Sequence, residues 1–82
     1  MKIVFSNYSL KRLKQRNISR RKNGEILKNP DGTRKGKYGR KIAHRWENDK
    51  LILVFYIKKG ERRYVITAYK TDPDRYGDKK WK

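Results

Sequence analysis

The 82-residue chain reads as a small α+β domain, with one or two N-terminal helices packed on a curved antiparallel sheet of three to four strands. Three observations predict it. Two strongly β-forming runs, Leu51–Ile57 and Tyr64–Tyr69, flank a short polar break at Lys58–Arg63, the pattern of an antiparallel hairpin. Residues 41–47 alternate, with Ile42, His44 and Trp46 on one side and Lys41, Ala43 and Arg45 on the other. Leu10 and Leu13, three apart in a basic stretch, mark an amphipathic helix ahead of both.

Taken in order, Met1–Phe5 is a short strand candidate, and Ser6 or Asn7 is an N-cap for a helix over residues 7–17. Asn17 is its stop. Ser19 caps a second, shorter helix that runs through Leu27, with Gly24 as an interruption and Ile26-Leu27 as its apolar anchors. Asn29-Pro30-Asp31-Gly32 is a turn. The basic, glycine-bearing stretch 33–41 is either a loop or a twisted edge strand, since lysine and glycine discourage edge pairing. Residues 41–47 form a strand antiparallel to Leu51–Ile57 through a turn at Asn48–Asp49. In the hairpin a two-residue turn at Lys59-Gly60 puts Lys58 opposite Glu61, Leu53 opposite Ile66 and Phe55 opposite Tyr64. One face then collects Leu51, Leu53, Phe55, Ile57, Tyr64, Ile66 and Ala68. The other collects Ile52, Val54, Tyr56, Arg63, Val65, Thr67 and Tyr69. The tail from Thr71 is turn-rich, with residues 78–82 frayed and Trp81 a candidate to tuck against the sheet. Residues 1–82 make a single domain.

Composition narrows the function classes. Without cysteine there is neither a disulfide framework nor a thiolate metal site. No apolar run approaches the roughly 18 residues of a membrane span, and MKIVFSNYS is too short in its apolar part for a signal peptide, so a cytoplasmic protein with no membrane partner is expected. Lys and Arg total 25 against 8 acids, a net charge of +17. Residues 1–45 carry 15 basic and 2 acidic residues, while 46–82 carry 10 and 6. One-sided charge of this size opposes compaction and suits a polyanion, whether nucleic acid or an acidic protein.

The candidate residues follow from that chemistry. His44 is the sole histidine and the side chain whose ordinary pKa lies nearest neutrality, a candidate acid or base for RNA cleavage, with a packed histidine beside Ile42 and Trp46 as the structural reading. Tyr56, Arg63, Thr67 and Tyr69 share the second hairpin face, flanked by Lys58 and Lys70. Arg63 suits bidentate phosphate binding and Tyr69 suits stacking on a base. Arg12 and Arg16 lie at i, i+4 on the first helix, where a phosphate between them would relieve repulsion. Lys35, Lys37, Tyr38, Arg40 and Lys41 alternate basic and aromatic character in a glycine-bearing stretch, as a strand-tracking nucleic-acid surface does, and Arg45 extends the RNA-docking cations. Asp72, Asp74 and Asp78 lack the spacing of a calcium loop, and no phosphate-cradling glycine motif is present, so neither metal nor cofactor is expected.

Two stretches carry a family resemblance. FSNYSLKRLKQRNI, residues 5–18, resembles the N-terminal motif of a subfamily of RelE/ParE-like toxins, in which a strand ends in Ser and His-Ala-x-x-Arg-x-x-x-Arg-x-Ile follows on a helix. Arg12, Arg16 and Ile18 match; Tyr8 stands where His is usual and Ser9 where Ala is. VITAYKT, residues 65–71, is similar to the closing strand of these toxins and of the barnase-like, EndoU-like and colicin-type ribonucleases grouped with them. The resemblance implies N-terminal helices on a curved sheet and a metal-independent endoribonuclease of toxin type. His44, Arg63, Thr67 and Tyr69 would do the chemistry, and an acidic antitoxin or immunity protein would restrain it. Two other readings stand beside it: a non-catalytic RNA- or DNA-binding module using the same basic surface, and a ParE-like relative that binds a protein target.

Overall fold

The computed structural model describes residues 1–71; the expectations for the turn-rich tail, Trp81 and the three aspartates at 72, 74 and 78 fall outside them. The described elements are β1 (Lys2–Phe5), α1 (Asn7–Gln15), α2 (Arg20–Lys28), β2 (Gly32–Lys35), β3 (Lys41–Glu47), β4 (Lys50–Lys59) and β5 (Arg62–Thr71). The strands form one sheet in the order β1-β5-β4-β3-β2. It has five strands rather than three to four, and it is mixed rather than wholly antiparallel. β1 runs parallel to β5, with Lys2 opposite Arg62 and Phe5 opposite Val65. The two helices carry the chain from β1 at one edge of the sheet to β2 at the other, and the antiparallel run from β2 to β5 brings it back beside β1. The stretch 33–41 resolves into the edge strand β2 and a turn.

Local chemistry explains the helix ends. Ser6 caps α1: its hydroxyl accepts from the Ser9 N–H at 3.0 Å, and the Ser9 hydroxyl accepts from the Ser6 N–H at 2.8 Å, a capping box with serine in the place of the usual acid. At the other end Asn17 adopts φ +56°. The N–H groups of Asn17 and Ile18 then return to the carbonyls of Lys14 (3.2 Å) and Leu13 (3.0 Å), and the Ile18 and Leu13 side chains are buried together. This is a Schellman motif with its apolar contact. Ser19 caps α2 through the Lys22 N–H at 3.0 Å, and Gly24 does not interrupt it.

The hairpin register departs from expectation in two steps. The turn is Gly60-Glu61, one residue later than Lys59-Gly60, so Lys58 lies opposite Arg63 rather than Glu61. A bulge between Phe55 and Tyr56 then leaves Ile66 as the extra residue of β5, since Phe55 pairs with Thr67 and Tyr56 with Val65. One extra residue exchanges the faces of everything beyond it. Ala68 moves to the side of Val54, while Thr67 and Tyr69 move to the side of Phe55 and Leu53. On the turn side of the bulge, the later turn places Tyr64 opposite Ile57, not Phe55.

The sheet thus has two unlike faces. On the helix face, Ala43, Ile52, Val54, Tyr56, Val65 and Ala68 pack against Leu13, Ile18, Ile26 and Leu27, with Ile3 and Phe5 at the margin. The small Ala43 and Ala68 flank Val54, a floor low enough for both helices to approach. On the aromatic face, Leu51 and Leu53 are buried among Ile42, Trp46, Phe55 and Tyr69.

Candidate nucleic-acid interface

α1 lies along β5, beyond the point where β1 stops pairing at Phe5–Val65. From the C-cap of α1, Arg16 therefore reaches round the β5 edge. Its Nη1 donates to the Thr67 hydroxyl at 3.0 Å and to the Ala68 carbonyl at 3.4 Å, and its guanidinium lies 5.1 Å from the centre of the Tyr69 ring. Tyr69 stacks on Phe55 with ring centres 5.5 Å apart at 22°. Both hydrogen bonds use Nη1, and among the described residues Nε and Nη2 hold none. The result is a half-buried guanidinium pinned by a hydroxyl over a pair of stacked rings, the combination that meets a phosphate and a base together. Arg12 does not join it: its Nε donates to the Tyr8 hydroxyl at 3.0 Å, and its guanidinium sits 5.1 Å over that ring. The two arginines each rest on a tyrosine of their own.

Thr67, Tyr69 and His44 share the aromatic face. Tyr56 and Arg63 do not, because the bulge separates them from Thr67 and Tyr69. Tyr56 is buried under the helices, and that burial raises its phenol pKa against the opposing pull of Arg63. Arg63 holds the β4–β5 turn, its Nη1 donating to the carbonyls of Gly60 (2.9 Å) and Arg62 (3.2 Å). His44 is only 4% exposed, opposite Leu53 on β4 and Gly32 on β2. A Cβ on Gly32 would stand 2.6 Å from its Cε1, so the absence of a side chain at 32 is what admits the ring. The Asn-Pro-Asp-Gly stretch hides this cradle, because its glycine already satisfies a turn.

Arg45 and Lys70 also lie on the helix face, each opposite Ile52. They surround Glu47, whose carboxylate takes a 2.8 Å ion pair from Lys22 of α2. That hydrogen bond first, then the charges of Lys22, Lys70 and Arg45, hold the Glu47 pKa below its ordinary value against partial desolvation.

The remaining predicted cations gather at one end of the sheet. The register brings the β2–β3 and β4–β5 turns to the same end and the β3–β4 turn to the other. At the first end Lys35 faces Lys41, Lys58 faces Arg63 and Lys59 faces Arg62. Like charges directly opposite one another destabilise a hairpin, so three such rungs are a cost that an anionic partner would offset. Lys37, Tyr38 and Arg40 occupy the β2–β3 turn and are exposed. Asp31, Glu47 and Asp49 lie toward the opposite end. Sequence reading missed the like-charged rungs, which depend on the turn position. Among the described residues, no group of three or more His, Cys, Asp or Glu is placed to hold a metal ion. No helix there is long and apolar enough to cross a membrane. No protein-family model, curated protein or solved structure significantly matches the chain.

Proposed function

We propose that this chain binds RNA across the aromatic face and the basic end of the sheet and cleaves it without a metal, as the toxin ribonucleases it resembles do. The observation that carries the reading is Arg16, held by Thr67 over the Tyr69–Phe55 stack. In this reaction the ribose 2′-hydroxyl loses its proton to water and attacks the adjacent phosphorus, the bond to the 5′-oxygen breaks, and a 2′,3′-cyclic phosphate is left. Arg16 counters the charge that builds on the phosphoryl oxygens. The Tyr69 hydroxyl gives the leaving oxygen its proton, Phe55 and Tyr69 stack on a base, and Thr67 positions Arg16. His44, set between Gly32 and Leu53, supports the platform. Arg34, level with Phe55 and Thr67, and the cations of the hairpin turns dock the flanking phosphates. A protein of this charge would be kept in check by an acidic antitoxin or immunity protein covering the same surface.

The test is incubation of the purified protein with mixed cellular RNA in EDTA, and with translating ribosomes, beside Arg16→Ala and Tyr69→Phe. Discrete cleavage by the wild type, lost in folded variants, is expected. A second reading, a non-catalytic RNA-binding module, is favoured by the burial of His44, which withdraws the histidine from direct contact with a substrate. Intact RNA in both settings, with tight binding that weakens steeply with salt, would establish the module instead.

A further inference from the structure

Among the described residues, five have a backbone φ in the left-handed region: Asn17, Tyr38, Gly39, Asn48 and Gly60. Four are the residue types that tolerate it, glycine and asparagine. Tyr38, at φ +59°, is the exception. The Arg40 N–H closes on the Lys37 carbonyl at 3.2 Å, so Tyr38 and Gly39 are the two central residues of a tight turn, both left-handed. Such turns select Asn-Gly or Gly-Gly, and a bulky side chain at the first central position is strained. Tyr38 gains no packing in return, being 88% exposed. Elsewhere among the described residues the turns hold residue types that suit them, so the violation at Tyr38 is where a functional constraint is expected.

The surroundings say what the constraint is. Residues 34–41, RKGKYGRK, carry five cations and no acid. The Lys35–Lys41 rung sets two of those charges opposite one another just below the turn. An exposed ring on a turn ringed by cations fits a nucleic-acid strand that is held through phosphates and stacked through a base. We propose that Tyr38 is a stacking wedge that takes an unpaired base of RNA, a second anchor separate from the Arg16–Tyr69 site. The wedge rests on the RNA-binding reading above and adds its ligand class: a nucleotide outside a duplex, flanked by phosphates that reach Lys35, Lys37 and Arg40.

The experiment measures binding of a short, unstructured, fluorescently labelled single-stranded RNA to wild type, Tyr38→Asn and Tyr38→Phe, with melting temperatures recorded alongside and 2-aminopurine in the strand to report stacking. Tyr38→Asn relieves the strain and removes the ring. It is expected to melt a few degrees higher than wild type while binding about 5- to 150-fold more weakly, the range for one lost base stack. Tyr38→Phe should bind within about twofold of wild type, because stacking needs only the ring face. The 2-aminopurine quench should persist in Tyr38→Phe and vanish in Tyr38→Asn. Wild-type binding that Tyr38→Asn leaves unchanged would overturn the wedge while the RNA-binding reading stands. No RNA binding by the wild type would overturn both.

Discussion

The two faces of this sheet come from the same strands and differ in nearly everything else. The helix face is aliphatic: Ala43, Ile52, Val54 and Ala68 are fully buried beneath Leu13 and Ile26. The aromatic face carries Trp46, Phe55, Tyr69, His44 and Thr67, and it borrows Arg16 from the helix on the other side. The difference teaches a division of labour: one face accounts for the fold, and the chemistry-bearing groups collect on the other. A single bulge at Phe55/Tyr56 makes the division, because without it Thr67 and Tyr69 would point into the helices.

If the division is real, damage to one face should leave the work of the other intact. The largest effect is expected from Ile26→Ala on the helix face. Removing this fully buried anchor should cost about 2–5 kcal/mol in denaturant unfolding, while the proposed RNA affinity should be unchanged in the fraction still folded. Affinity falling in that folded fraction would mean that the faces are not separable. On the aromatic face, Gly32→Ala drives a Cβ into His44 and should cost about 1–3 kcal/mol. Adding His44→Ala should recover much of that loss, so a double-mutant cycle ought to be far from additive. Additive losses would show that the ring does not occupy the glycine cradle.

Asn23 sharpens the comparison from within the helix face. Its amide is fully buried, and neither its nitrogen nor its oxygen has a hydrogen-bond partner among the described residues. Replacing such a group with an apolar one of similar size removes a desolvation penalty, so Asn23→Leu should stabilise the fold by about 1 kcal/mol with RNA affinity unchanged. Destabilisation would reveal a polar role on the face assigned to packing.

The smallest effect belongs to Glu47, which ties α2 to β3 through Lys22. Its pKa is lowered in the folded state, so its stabilising effect is present above the ordinary carboxylate pKa and is lost as pH falls through the folded value. With more than a third of the side chain exposed, the pair is worth a few tenths of a kcal/mol. Unfolding followed from pH 7 into the acid range should show a slightly shallower decline for Glu47→Gln than for wild type. A steeper decline in the variant would reverse the sign of the argument.

Much of this architecture is legible in the sequence, because local signals and packing agree there. Ser6, Asn17 and Ser19 mark the helix ends, and alternation marks β3. The fold class follows from them. What escapes reading is what depends on register. The turn at Gly60-Glu61 is one residue from the expected place and changes which residues oppose one another, while the bulge at Ile66, which leaves no mark in a uniformly β-forming run, decides which of Tyr56, Arg63, Thr67 and Tyr69 share a face. The parallel pairing of β1 is likewise invisible, since a four-residue strand carries no record of its direction. Arg16 can be singled out from sequence, but its partner Thr67 lies 51 positions away, and only the path of α1 along β5 joins them.

The most direct test of the central claim is an amide and arginine side-chain NMR map during titration with a short single-stranded RNA. Shifts are expected at Arg16, Phe55, Thr67, Tyr69 and the Tyr38 turn, with Ile26 and Val54 unmoved. Shifts confined to the exposed basic residues of α2, Arg20, Arg21 and Lys28, would place RNA on the opposite side of the molecule and contradict it.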